Sequence, residues 1–424
     1  MSSAVLVNVS AEAEVHLVGL LSKTSSSGGF KLDCESSIAS GDASKLIRTI
    51  VNDEGSMKGL VAAPTEEGVS AISLIAALLE KVKDGSSSQL LKELADAIVR
   101  SGSGDSSSAV QEITLLATLY NMRTDPSEKI ALLVRMIQLA SSRDPSLLEP
   151  NTSVLGKWMD SSRLSAMLDE WNVAPAGRRE LYRAAAEGAQ NALSKQQFTL
   201  LVVETYAKSD FDAIGVEYAK KAAIGAIQDP VSLFVQQRNI MSLPAVQALS
   251  QSDGTFFLDD TQALFFFVVE TRLIEQLLYS PVAGVATVDN VQRIISSKCA
   301  HVWFFCTLYP SLLALLKVFQ EGKLEDYNGF IQSNGGDSVL TQWNLSSDEC
   351  IRFMRILSLC SLAAEQEEIP YALIASDLKC NENEVEQQVI AAVSSGLVSC
   401  KMDQLSQTVT VNSSVNRSVD MKDW

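Results

Sequence analysis

The chain has 424 residues, 46% of them hydrophobic, and carries 34 Lys and Arg against 51 Asp and Glu, for a net charge of −17. That length accommodates a large core or two to three domains, and that charge excludes non-specific nucleic-acid binding by the bulk of the surface. Seven cysteines form no CxxC pair and fall mostly at apolar helix or strand positions, the pattern of reduced thiols in a cytoplasmic or nuclear protein. No N-terminal stretch joins a basic start to a long apolar run, so no secretory leader is expected. Apolar runs such as Ala263 to Val269 fall well short of the about 18 residues that span a bilayer, so no membrane segment is expected.

Residues 1–40 read as an N-terminal extension, partly flexible, with a Ser/Gly tract at Thr24 to Gly29. From about Asp42 the chain becomes a series of helices, and residues 41–228 read as one helical repeat domain. Ile72, Ile75, Ala76 and Leu79 have helical spacing, and so do Val110, Ile113, Leu116, Ala117 and Tyr120. Ile130, Leu133, Val134 and Ile137 repeat the pattern after Asp125-Pro126, where Pro occupies a favourable first helical position. Ser/Gly-rich breaks at 85–88 and 101–108, then Asp144-Pro145, Pro150 and Asp229-Pro230, punctuate the run. Further helices are expected near Ser162 to Glu170, Pro175 to Leu193, Gln196 to Lys208 and Phe211 to Ile227. Consecutive antiparallel pairs of about 35–45 residues point to an α-solenoid of the TPR or HEAT kind with degenerate repeats. The individual apolar stripes read first as core, and the concave side of such a stack as a docking surface.

Residues 262–309 break this rhythm. The run Phe265-Phe266-Phe267-Val268-Val269, then Pro281 to Gly284, then Trp303 to Cys306, lacks helix caps and is the kind of window that aggregates when exposed. The helical pattern resumes with Leu312, Leu315, Leu316 and Phe319.

The last stretch, 345–418, reads as a winged helix, followed by a tail at 419–424. Ser346 with Glu349 reads as a capping box before Phe353, Ile356, Leu357 and Cys360, which share one face. Ile369-Pro370 ends that helix and Tyr371 to Leu378 forms a second. Asn381 with Glu384 caps a third, in which Val385, Val389, Ala392 and Val393 share a face, and Gly396 takes the left-handed position after its end. The period then changes to two: Val398, Cys400 and Met402 alternate with polar residues, a turn follows at 404–407, and Thr408-Val409-Thr410-Val411 alternates again. A winged helix reads DNA with its third helix, but here that helix carries Glu382, Glu384 and Glu386 and no cation before Lys401. Phosphates would be repelled, so a protein-assembly role is expected, with no sequence-specific DNA binding. The hairpin would offer an edge strand to a partner by β-addition, and Val398, Cys400, Met402, Val409, Thr410 and Val411 are the candidate interface residues, with Thr410 on the outer strand.

Catalytic chemistry is hard to place. The two histidines are His16 and His301, and neither lies beside a GxSxG elbow. Cys299, His301 and Cys306 are close in sequence but match no common zinc spacing. There is no GxxxxGK[ST] loop and no GxGxxG after a strand. Adjacent acids such as Asp259-Asp260, Glu325-Asp326 and Glu365 to Glu368 read as solvated faces. The expectation is a non-enzyme without cofactor or metal.

A helical solenoid leading into a winged helix resembles the PCI architecture, and particular residues carry the likeness further. Glu170-Trp171-Asn172-Val173, Arg178-Arg179-Glu180-Leu181-Tyr182-Arg183, Leu315-Leu316-Lys317-Val318-Phe319, Ile369-Pro370-Tyr371-Ala372-Leu373-Ile374 and Cys400-Lys401-Met402-Asp403-Gln404 are similar to the subunit m family of eukaryotic translation initiation factor three. The resemblance runs from about Ser162 to Arg417, and more loosely over Asp42 to Glu149. It implies a PCI domain over 229–418, with a helical part at 229–344, and a cytoplasmic scaffold in a multi-subunit complex. Other PCI and MPN subunits would be its partners, and it would reach the small ribosomal subunit through the complex during 43S assembly and mRNA recruitment. The runner-up is a PCI scaffold of the COP9 signalosome or proteasome lid. The family passes almost directly from the equivalent of Asp260 to that of Ser311, so 262–309 is expected as an insertion forming an excursion outside the PCI layer, with a helix near Thr261 to Leu278. Family members continue into a further helix that joins a subunit bundle; the chain stops at Trp424, so the likeness does not extend to that contact.

Overall fold

The computed structural model describes residues 11–82, 85–150, 153–207, 210–236, 238–250 and 310–417. The excursion expected at 262–309, and with it Cys299, His301 and Cys306, lies outside the described residues. The chain forms two units, Met1–Thr205 and Tyr206–Trp424.

The first unit is built from α1 (Ala11–Leu21), α2 (Phe30–Ser40), α3 (Ala43–Asn52), α4 (Glu54–Ala62), α5 (Thr65–Glu80), α6 (Ser87–Ser101), α7 (Ser106–Met122), α8 (Pro126–Arg143), α9 (Ser161–Glu170), α10 (Pro175–Gly188) and α11 (Ala192–Glu204). Aspartates start many of them: Asp42, Asp53, Asp105, Asp125 and Asp160 each accept a backbone N–H two or three residues on, which satisfies one of the donors a helix start leaves free. Helices α5, α6 and α8 pack on their next-but-one neighbours α7, α8 and α10, the nearest-neighbour stacking of helical repeats.

Three details differ from the sequence reading. Thr24 to Gly29 is a turn held from α4: Ser26 donates to Asp53 through its hydroxyl at 2.8 Å and its backbone N–H at 3.3 Å. Burial alone would push the Asp53 carboxyl up, but bonds from Ser56 and Ser26 bring it down to about 2. The expected apolar face of α7 is rotated. Val110 is exposed and Ala109, Glu112, Leu115, Leu116 and Leu119 are buried, because a carboxylate with a cationic partner occupies the core side. Finally, α10 stops at Gly188 and α11 begins early, where Asn191 caps it through Ser194 N–H at 2.6 Å.

The second unit begins with α12 (Ala213–Gln228), a helix that the sequence rhythm groups with the repeats. It continues with α13 (Pro230–Val235), α14 (Pro244–Gln247), α15 (310–321), α16 (Leu324–Ser333), α17 (Ser338–Thr341) and α18 (Ser347–Glu365). Leu312, Leu315, Leu316 and Phe319 are buried, as their spacing predicts. Then come β1 (Glu368–Pro370), α19 (Tyr371–Leu378), α20 (Val385–Ser394), β2 (Val398–Asp403) and β3 (Thr408–Ser414), a winged helix. Ser346 stands at the N-cap of α18 without a side-chain cap bond, and Ser347 instead donates to Asp337 at 3.0 Å.

Beyond the hairpin, Arg417 ties the chain back to the helices. Its guanidinium donates to the Leu357 carbonyl at 3.0 Å, Ser361 Oγ at 2.8 Å and the Phe319 carbonyl at 2.7 Å. Burial lowers its pKa to about 10.

Gly396 has φ 78° with open space around its Cβ position, so only backbone strain opposes a side chain there. Gly396→Ala is expected to cost about 1–2 kcal/mol, read as a shift in the urea midpoint. An unchanged midpoint would mean that this turn can relax.

Candidate docking site on the winged helix

The sheet runs in the order β1-β3-β2. β3 is therefore the inner strand, and this corrects the expectation that Thr408 to Val411 forms an outer edge. The strand that covers it is the three-residue β1, in which Ile369 pairs with Val409 and Glu368 with Thr410. A segment that short, ending in Pro370, shows no alternation to read in a sequence.

Main-chain alternation assigns the free edge to β2. Val411 N–H donates to the Glu367 carbonyl at 2.8 Å and Tyr371 N–H to the Gln407 carbonyl at 2.9 Å. Val409 and Val411 thus face β1 with their main-chain groups, and Thr408 and Thr410 face β2. Opposite these, Lys401 pairs with Thr410 and Asp403 with Thr408, while Met402 pairs with Val409 and Cys400 with Val411, after a bulge at Ser399/Cys400. The backbone groups of Lys401 and Asp403 are consequently used on β3, and those of Met402 and Cys400 point away from it.

The six candidate residues separate accordingly. Val398 and Val409 are buried in the winged-helix core. Cys400 and Val411 are half-buried, and Thr410 is exposed but its backbone is used within the sheet. Met402, 38% exposed, is the candidate that combines an accessible apolar side chain with an outward-facing backbone. Burial raises the Cys400 thiol, which keeps it protonated and unreactive.

The third helix supplies what the sequence reading left out. Val385, Val389 and Ala392 are buried as expected, but Val393 is 41% exposed and Ile390 52% exposed. Glu386, Ile390 and Val393 recur at i, i+4, i+7 and form a second stripe on α20. Gln404 Nε2 donates to Glu386 Oε2 at 3.1 Å, so this stripe borders the wing. Leu405 at the wing tip is 99% exposed, held out by an Asx turn in which Asp403 Oδ1 accepts from Leu405 N–H at 2.9 Å. The surrounding charge is acidic: Glu382 and Asp403 are exposed, and Glu384 and Glu386 half-buried. Burial raises the nearby Tyr371 hydroxyl, and the Glu386 and Asp403 charges add to that. The arrangement offers apolar area, an acidic rim and unpaired backbone.

A PCI domain profile matches residues 331–413, which span this site. Among curated proteins, the chain is similar to eukaryotic translation initiation factor 3 subunit M of Dictyostelium discoideum, 26% identical over 320 residues, 74% of this chain and 63% of that protein. It is similar to the subunit M of Phaeosphaeria nodorum at 24% over 410 residues, 92% of this chain and 77% of the relative. To that of Schizosaccharomyces pombe it is 30% identical over 177 residues, 39% of this chain and 42% of the relative. A winged helix stands where the PCI profile falls, and over most of its length the chain is similar to eukaryotic translation initiation factor 3 subunit M proteins.

Proposed function

We propose that the chain is a non-catalytic scaffold subunit of eukaryotic translation initiation factor 3. It would act in the cytoplasm, beside other PCI and MPN subunits, to support 43S pre-initiation complex formation and mRNA recruitment. It would meet the small ribosomal subunit through the complex. One observation carries the reading: in a chain similar to these subunits, β2 presents an unpaired backbone edge at Met402 and packs on α20, whose Ile390 and Val393 are exposed. An edge of this kind is a template for strand addition by a neighbour. The acidic third helix supports protein over nucleic acid as the neighbour.

Met402→Pro tests it. Proline removes an outward N–H and leaves the β2–β3 ladder intact, as edge positions tolerate. Retention of partner subunits in the reconstituted factor is expected to fall about five- to tenfold, the worth of one interfacial hydrogen bond, with circular dichroism unchanged. Undiminished retention would overturn docking through β2. Thr410→Pro is a poor test, because Thr410 faces Lys401 within the sheet and its loss would damage the wing itself.

A further inference from the structure

The stripe on α20 narrows what kind of neighbour β2 can take. Among the described residues of the second unit, Ile390, Val393, Met402 and Leu405 are exposed large apolar side chains on the winged helix, and Val235 is another outside it. Exposed apolar residues gathered on one small subdomain mark a contact surface. Charge decides among occupants. Glu382, Glu384 and Glu386 precede or begin α20 and Asp403 ends β2, whereas Lys401 is the one cation on β2 itself. A second copy of the chain meeting this face about a two-fold axis would bring the three glutamates against their own equivalents. Nucleic acid and anionic lipid carry the same sign as the rim.

We propose that the occupant is a partner-protein segment rich in aliphatic residues and in Lys or Arg. It lies along the β2 edge with its aliphatic side chains on Ile390 and Val393 and its cations toward Glu382 and Glu386. This rests on the reading that β2 is a docking edge and adds the partner's chemistry to it. Cation–carboxylate pairs at a rim steer encounter and set specificity, and they weaken with salt. The apolar stripe supplies the contact area that the backbone edge lacks.

The test uses the full chain and two ten-residue synthetic peptides, one alternating Val and Lys, the other alternating Val and Glu, followed by methyl shifts of Ile390 and Val393. The Val–Lys peptide is expected to bind saturably, to move both methyls, and to weaken about tenfold between low and high salt. The Val–Glu peptide should move neither. Binding of the Val–Lys peptide should drop about tenfold in the Ile390→Ser, Val393→Ser double variant and in the Glu382→Gln, Glu386→Gln double variant. Equal binding of both peptides, or motionless Ile390 and Val393 methyls, overturns the proposal. The two readings separate in the reconstituted factor. If Met402→Pro releases the partners while Ile390→Ser, Val393→Ser retains them, the edge docks without the stripe and this inference alone fails. If Met402→Pro releases nothing, the docking reading has failed as well.

Discussion

Arg143→Ala is expected to destabilise the first unit by about 3–5 kcal/mol, the cost of leaving a buried carboxylate without its cation. Glu112 on α7 is fully buried. Its Oε1 accepts from Arg143 Nη1 and, at 2.7 Å, from Ser108 Oγ, while its Oε2 has no partner. Arg143 Nη2 also donates to the Val99 carbonyl at 2.7 Å, so one guanidinium joins α6, α7 and α8. Truncation strands both the carboxylate and that carbonyl. Hydrogen exchange across Ser106–Met122 during a urea titration reads the loss.

The pH dependence has a definite sign. Burial raises the Glu112 pKa, with Ser108 and Arg143 pulling against it. The native state therefore holds this proton more tightly than the unfolded chain, and the group's contribution favours folding at low pH and falls as pH rises through the carboxyl range. Without Arg143 the pull is smaller and the rise larger. The deficit of the variant should then shrink between about pH 7 and pH 4, because protonated Glu112 needs no counter-charge. Replacing both partners, as Glu112→Leu with Arg143→Met, should recover most of the stability. A single-variant loss below about 1 kcal/mol, or a deficit that widens on acidification, would show that Glu112 is hydrated.

The same pair marks a limit of sequence reading. α8 was legible because Asp125-Pro126 starts it and Ile130, Leu133, Val134 and Ile137 are all buried. α7 was legible as a helix but not in its facing, since apolar spacing assigns Glu112 to solvent and cannot see Arg143 thirty-one positions away. In the winged helix, α19 and the hairpin followed from Pro370, Gly396 and the change of period. β1 did not, because three residues carry no period, and its insertion beside β3 moved the free edge from Thr410 to Met402. Val393 was placed on the core face because the nine residues from Val385 to Val393 fit two neighbouring stripes. Packing against α18 and β2 separates the buried Val385–Val389–Ala392 stripe from the open Glu386–Ile390–Val393 one.

Leu357→Ala is expected to cost about 2–5 kcal/mol, a transfer loss plus a cavity that the surrounding helices cannot close. Leu357 is fully buried at the middle of α18, the helix against which α12, α16, α19, α20 and β3 all pack. Its carbonyl already accepts from Arg417 Nη1 at 3.0 Å and Ser361 Oγ at 3.2 Å, so α18 is held in place on the Arg417 side and has little freedom to move into the void. The neighbouring Arg352→Ala, on the exposed face, should stay within about 0.5 kcal/mol, and the contrast fixes the register of the helix. Hydrogen exchange of β3 reports the loss directly, since β3 is the strand in contact with α18. Partner capture should fall in Leu357→Ala in step with stability and recover at lower urea or temperature, whereas in Met402→Pro it falls with stability unchanged. A Leu357→Ala loss below about 1 kcal/mol would mean that α18 is not the centre of the winged helix, and that the wing is positioned by contacts other than those through which it packs on this helix.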